Sequence, residues 1–192
     1  MLNKLGKAYE AFDNAVMKGV NSAMRAYNWT TGDTKTDLAN KLLTIAPVLE
    51  SIGFFNCSPV FGLTVTPIYV FGSYIGTKNN KAIEDRESRA LENNCLDYLA
   101  ENTKRSLRLF CGPMFALLGA SWAMPSDAKG YFTEDKTLTN LLTAIGFFAR
   151  AASCYVMSAD NLPPRKNCVK RGIEKLEQLI SSYRTQPGTV LA

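Results

Sequence analysis

The chain has 192 residues, 46% of them apolar, a net charge of +5 and no histidine. That length suits one domain or a small polytopic membrane protein, and the charge is too mild and too scattered for a nucleic-acid binder. Without histidine the commonest general acid–base group and the commonest metal ligand are missing. The five cysteines (Cys57, Cys95, Cys111, Cys154 and Cys168) form no C-x-x-C pair, so neither a zinc site, a disulfide framework nor any cofactor is expected.

Residues 1–31 read as an amphipathic helix and its turn. Leu2, Leu5, Tyr9, Phe12, Val16, Ala23 and Met24 recur at three-to-four spacing, the period of one helix face. Lys4, Lys7, Glu10 and Asp13 break up any continuous apolar run, so no secretory signal is expected there. Residues 28–33 read as a stop and turn, after which Thr34 or Thr36 caps a second helix near Asp37.

Residues 42–77 contain a single charge, Glu50, and residues 51–77 contain none. An uncharged, mainly apolar run longer than ~18 residues marks a membrane-spanning segment. Pro59 predicts a break, which makes residues 32–77 a first hydrophobic hairpin with its tip near Cys57, Ser58 and Pro59. Residues 78–108 are polar and charged and read as a solvated or partly docked helix. A second hydrophobic hairpin is expected over residues 109–159, where residues 109–125 carry no charge and residues 137–159 carry only Arg150.

Pro163 and Pro164 end that unit, and residues 160–192 close the chain with an amphipathic helix. Its apolar side is Val169, Ile173, Leu176, Leu179, Ile180 and Tyr183, and Lys166, Lys170, Arg171 and Lys175 gather near its start. The expected fold is therefore all-α: two membrane-embedded hydrophobic helical hairpins flanked by N- and C-terminal amphipathic helices. In outline this arrangement is similar to reticulon-type membrane-shaping proteins, a likeness of layout that carries over no motif and no residue role. A faint internal echo, Ser51, Ile52, Gly53, Phe54 and Phe55 against Ala144, Ile145, Gly146, Phe147 and Phe148, reads as coincidence of composition.

Charge placement decides the expected topology. If residues 51–77 crossed once, the two sides would hold 8 and 13 Lys and Arg; if residues 42–77 enter and return, one side holds 19 and the other 2. Positive charge accumulates on the cytoplasmic face. The expectation is an integral membrane protein with its N-terminus, residues 78–108 and C-terminus on that face. Arms of this length rise ~25–27 Å against ~30 Å of hydrocarbon, so four thin spans and two partly inserted hairpins both fit. A soluble bundle with fully buried central helices is the rival.

Three features bear on function. Ala116, Gly119, Ala120 and Ala123, with Ala149 and Ser153, make small-residue faces that let helices approach closely, within this chain or against a partner. Glu50 and Arg150 are lone charges inside apolar segments. They either pair across the two hairpins, or, on the preferred and plainer reading, Glu50 sits near a helix end while Arg150 snorkels or faces a partner subunit. Lys166, Lys170, Arg171 and Lys175 suit a lipid surface. No nucleophile–base pair or phosphate loop emerges, and no enzyme activity is expected. The expected partners are membrane lipids and other membrane subunits, not nucleic acid. The expected role is a non-catalytic scaffold or stabiliser of a membrane assembly, with a membrane-shaping hairpin protein and a soluble helical interaction module as alternatives.

Overall fold

In the computed structural model, residues 2–93, 97–124 and 137–184 are described, and among these every regular element is helical. The expected polar connection over residues 126–136, Cys95 and the last eight residues lie outside them. Helix α1 (Leu2–Thr31) turns Met17, Met24 and Asn28 inward; of the expected apolar side Met24 is buried, but Phe12 and Ala23 are exposed, so the helix packs by a neighbouring face. It ends four residues later than its pattern, because Gly32 supplies the turn: it is the backbone's positive-φ glycine, at 83°.

Helix α2 (Lys35–Cys57) starts from a reciprocal cap. The Asp37 amide donates to the Thr34 hydroxyl at 3.2 Å, and the Thr34 amide donates to the Asp37 carboxylate at 2.9 Å, which satisfies two otherwise orphaned donors. Ser58 alone separates α2 from α3 (Pro59–Glu92). Pro59 opens α3, where a missing N–H costs nothing, whereas Pro47 and Pro67 sit inside helices. The two helices run antiparallel: Asn80 donates to Asn40 at 3.0 Å near one end, and Phe54 meets Phe61 edge-on at 5.7 Å near the other.

Helix α3 does not stop where the charge pattern changes after Thr77. No proline or glycine lies between Gly76 and Glu92, and Lys, Ala, Glu and Arg dominate there; these are strong helix formers. Helix α4 (Tyr98–Ser106) is capped by Asp97 and passes through a π-helical turn, Leu107–Cys111, into α5 (Gly112–Ala123). Pro113 explains the widening: it has no N–H for the Leu109 carbonyl and would clash with it. The chain continues as α6 (Thr137–Met157) and, after an irregular stretch, α7 (Cys168–Arg184).

α6 lies against both α2 and α5, which form its main packing partners. Its lower end and the start of α2 meet α1, α3 and α4 in a core of Met24, Ala39, Ile83, Ala100, Val156, Met157 and Ala159. Charged groups from α1, α2, α3 and α4, and from the residues that follow α4 and α6, pair on that side of the bundle. Glu87 takes Lys35 at 2.8 Å and Lys104 at 2.7 Å, Asp13 takes Arg108 at 3.1 Å, and Asp160 takes Arg25 at 3.2 Å. Among the described residues the opposite end, around Cys57, Ser58 and Pro59, carries no Asp, Glu, Lys or Arg.

Candidate functional site

Within the apolar part of the bundle the two lone charges meet. Arg150 donates through Nε to Glu50 Oε1 at 2.6 Å and through Nη2 to Oε2 at 2.8 Å, the bidentate geometry that makes such pairs strong. Nη2 also donates to the Tyr69 carbonyl of α3 at 3.0 Å. The guanidinium lies 5.0 Å from the Tyr69 ring and 5.8 Å from that of Phe115, close enough for cation–π attraction. Glu50 is 0% exposed and Arg150 4%. The pair thus ties α2, α3 and α6 together while α5 supplies an aromatic wall.

This arrangement replaces the plainer reading of the two charges. Glu50 lies well inside α2 rather than at its end, and Arg150 points into the bundle rather than toward a helix terminus. The reason is on the neighbouring turn. A β-carbon at Gly146 would stand 2.9 Å from the Ala46 carbonyl oxygen and 3.0 Å from the Glu50 nitrogen, and one at Gly53 would stand 2.0 Å from Thr143 Oγ1. The two glycines let α2 and α6 approach closely on this turn, Gly146 against the α2 backbone and Gly53 against the Thr143 side chain, which brings Glu50 and Arg150 within reach of each other.

Of the small residues singled out, Gly119, Ala149 and Ser153 are buried, Ala116 and Ala120 are half-buried, and Ala123 is exposed. Gly119 touches α6, where an added β-carbon would lie 3.1 Å from the Ala144 carbonyl oxygen and from Phe148. Gly53 and Gly146 escaped the sequence reading as packing positions. The two halves of the echo do lie on the paired helices α2 and α6, where Gly53 meets Thr143, Gly146 meets Ala46 and Glu50, and the Phe54 and Phe147 rings stand 6.2 Å apart.

The basic residues of the C-terminal helix divide. Lys166 pairs with Glu174 at 2.6 Å, Lys170 and Lys175 are exposed, and Arg171 is half-buried with its guanidinium 5.0 Å from the Trp29 ring. Also missed from sequence was the Lys35, Glu87 and Lys104 cluster, whose members come from three helices. Lys35 is almost fully buried and donates to the Ala159 carbonyl at 3.0 Å. Among the described residues no group of three or more Cys, Asp or Glu side chains is placed to hold a metal ion.

The fold and this site define an all-helical protein in which α2, α3 and α6 are each long and apolar enough to cross a membrane. No family model, no curated protein and no solved structure matches the chain.

Proposed function

We propose that this is an integral membrane protein built from two helical hairpins, α2 with α3 and α5 with α6, which scaffolds or stabilises a larger membrane assembly and catalyses nothing. One observation carries the membrane part: at the level of the buried Glu50–Arg150 pair the outward side chains are apolar. Around the level of Glu50 and Arg150 the outward side chains are Val48, Ile52, Ile68 and Phe71, all exposed, and Val60 is 70% and Leu63 67% exposed farther along α3. So much contiguous apolar surface is foreign to a monomer in water. Facing lipid it costs nothing, and the paired charges within are how ionisable groups are accommodated at membrane depth.

On this reading the end bearing Lys35, Glu87, Lys104 and Arg108 is the cytoplasmic-type face, in keeping with 19 of the 22 basic residues belonging to segments that reach it. The scaffolding part rests on the small-residue face of α5, where Ala116 and Ala120 stay half-buried and Ala123 exposed, open to close approach by a partner helix. Liposome flotation after an alkaline carbonate wash tests insertion, and cross-linking in native membrane tests assembly. Flotation with one recurrent cross-linked neighbour is the expected result. A protein left at the bottom, folded and monodisperse, overturns the membrane reading; a floating protein that cross-links to nothing overturns the scaffold.

A further inference from the structure

We infer that α7 is a docking surface for anionic phospholipid, lying flat on the headgroup layer beside the bundle; the inference rests on the membrane reading above. The starting point is which side of α7 touches the protein. Val169, Ile173, Leu176 and Ile180 fall within an arc of about 60° on a 3.6-residue helix. Arg171 falls almost opposite, and it is Arg171 that attaches α7 to α1, by stacking over the Trp29 ring and donating to the Trp29 carbonyl. The helix is therefore held by its polar back, and each of those four apolar side chains is half or more exposed. An amphipathic helix that packs on its own core shows the reverse.

The charges beside the apolar stripe identify what it meets. Lys170 lies on one flank about 90° from the centre of the stripe and Lys175 about 130° round on the other side, both exposed, and residues 165–184 hold six basic side chains against Glu174 and Glu177. An apolar stripe on a helix of net positive charge, with long lysines able to reach round to the surface, is the pattern of a helix seated at the boundary of headgroups and acyl chains. Position agrees: the Arg165 amide donates to the Gly32 carbonyl at 3.1 Å, so α7 leaves the bundle from the charged end, where an anionic leaflet would lie.

The test uses the full chain reconstituted in vesicles of phosphatidylcholine alone and of phosphatidylcholine with about one-third phosphatidylglycerol, a fraction giving a strongly negative surface. Hydrogen exchange across α7 is followed, and carbonate-resistant flotation is read on the same samples. Exchange in α7 is expected to slow in the anionic vesicles. Lys170→Gln with Lys175→Gln should weaken that effect by roughly 25-fold, since each lysine near an anionic surface contributes about five-fold. Ile173→Glu with Ile180→Glu should remove protection in both vesicles. Protein that floats but exchanges identically in the two vesicles overturns the inference and leaves the membrane reading standing. Protection already present in detergent and rising with protein concentration overturns it in favour of a second copy of the chain. If the protein does not float, the membrane reading fails by itself; slowed α7 exchange on adding anionic vesicles then still upholds the inference, and unchanged exchange overturns it.

Discussion

A β-carbon on Gly146 would stand 2.8 Å from Cγ of Glu50, so the glycine and the buried carboxylate share one contact between α6 and α2. Gly146→Val should push the helices apart at the turn that holds the ion pair, destabilising the protein by about 1–3 kcal/mol, the usual cost of overpacking. Gly19, by contrast, has open space around it on α1, and Gly19→Ala should stabilise by about 0.5–1 kcal/mol through helix propensity. Thermal unfolding in mild detergent distinguishes the two; equal shifts would mean that α2 and α6 do not pack as described.

The pair itself makes a second prediction. Arg150→Met leaves the Glu50 carboxylate buried without its partner, a loss of about 3–5 kcal/mol, and Glu50→Gln should cost at least as much because it leaves the Arg150 guanidinium, which cannot lose its charge, buried without a counter-charge. Combining Glu50→Leu with Arg150→Met should recover much of the stability, since an apolar replacement of both partners removes the desolvation cost along with the attraction. Chemical denaturation of the three variants measures this. A double variant as unstable as Arg150→Met would show that the pair adds net stability.

How far these features were legible in the sequence follows from the range of the signals. The apolar runs, the Thr34 cap and the turn at Gly32 rest on local patterns, and the helices follow them closely. The helix boundary expected after Thr77 has no local cause, since a change from apolar to charged residues does not break a helix, and α3 runs through it to Glu92. Glu50 and Arg150 were visible as anomalies, but their contact depends on Gly53 and Gly146 setting the distance between helices, and that is a property of two surfaces together. The Lys35, Glu87 and Lys104 cluster was hidden for the same reason, because each residue alone is an ordinary surface charge.

That cluster and its neighbour Asp33 set a pH dependence. Burial of Lys104 opposes its charge, but the hydrogen bonds and charges of Glu87 and Glu101 outweigh it and leave the ammonium pKa raised. A lysine with a raised folded value contributes stability in full below its unfolded value of about 10.4 and loses it as pH climbs through the higher folded one. Asp33 is lowered, chiefly by the hydrogen bond from Lys41 and then by that from Tyr27. Its contribution is present above the unfolded value of about 3.9 and lost as pH falls through the lower folded one. Unfolding followed against pH should therefore show an alkaline loss that Lys104→Met flattens and an acid loss that Asp33→Asn flattens, each without altering the other.

The sharpest prediction concerns the outer face of α3, where water and lipid demand opposite things. Phe71 is 63% exposed and lies about two-thirds along the uncharged part of the helix, on the turn that carries Tyr69. In water, Phe71→Arg would trade an exposed ring for a solvated charge, leave packing untouched and improve solubility. In a bilayer the same guanidinium would sit within the hydrocarbon, at a cost of about 2.5–3.5 kcal/mol by insertion measurements. Arg150 tolerates that depth because Glu50 and the Tyr69 carbonyl receive it, and nothing on the outward side of α3 could do this for residue 71. Carbonate-resistant flotation should fall steeply for Phe71→Arg and hold for Phe71→Leu, with both variants retaining their helical circular dichroism. A Phe71→Arg protein that inserts as well as the parent would mean that this face meets another protein or solvent rather than lipid.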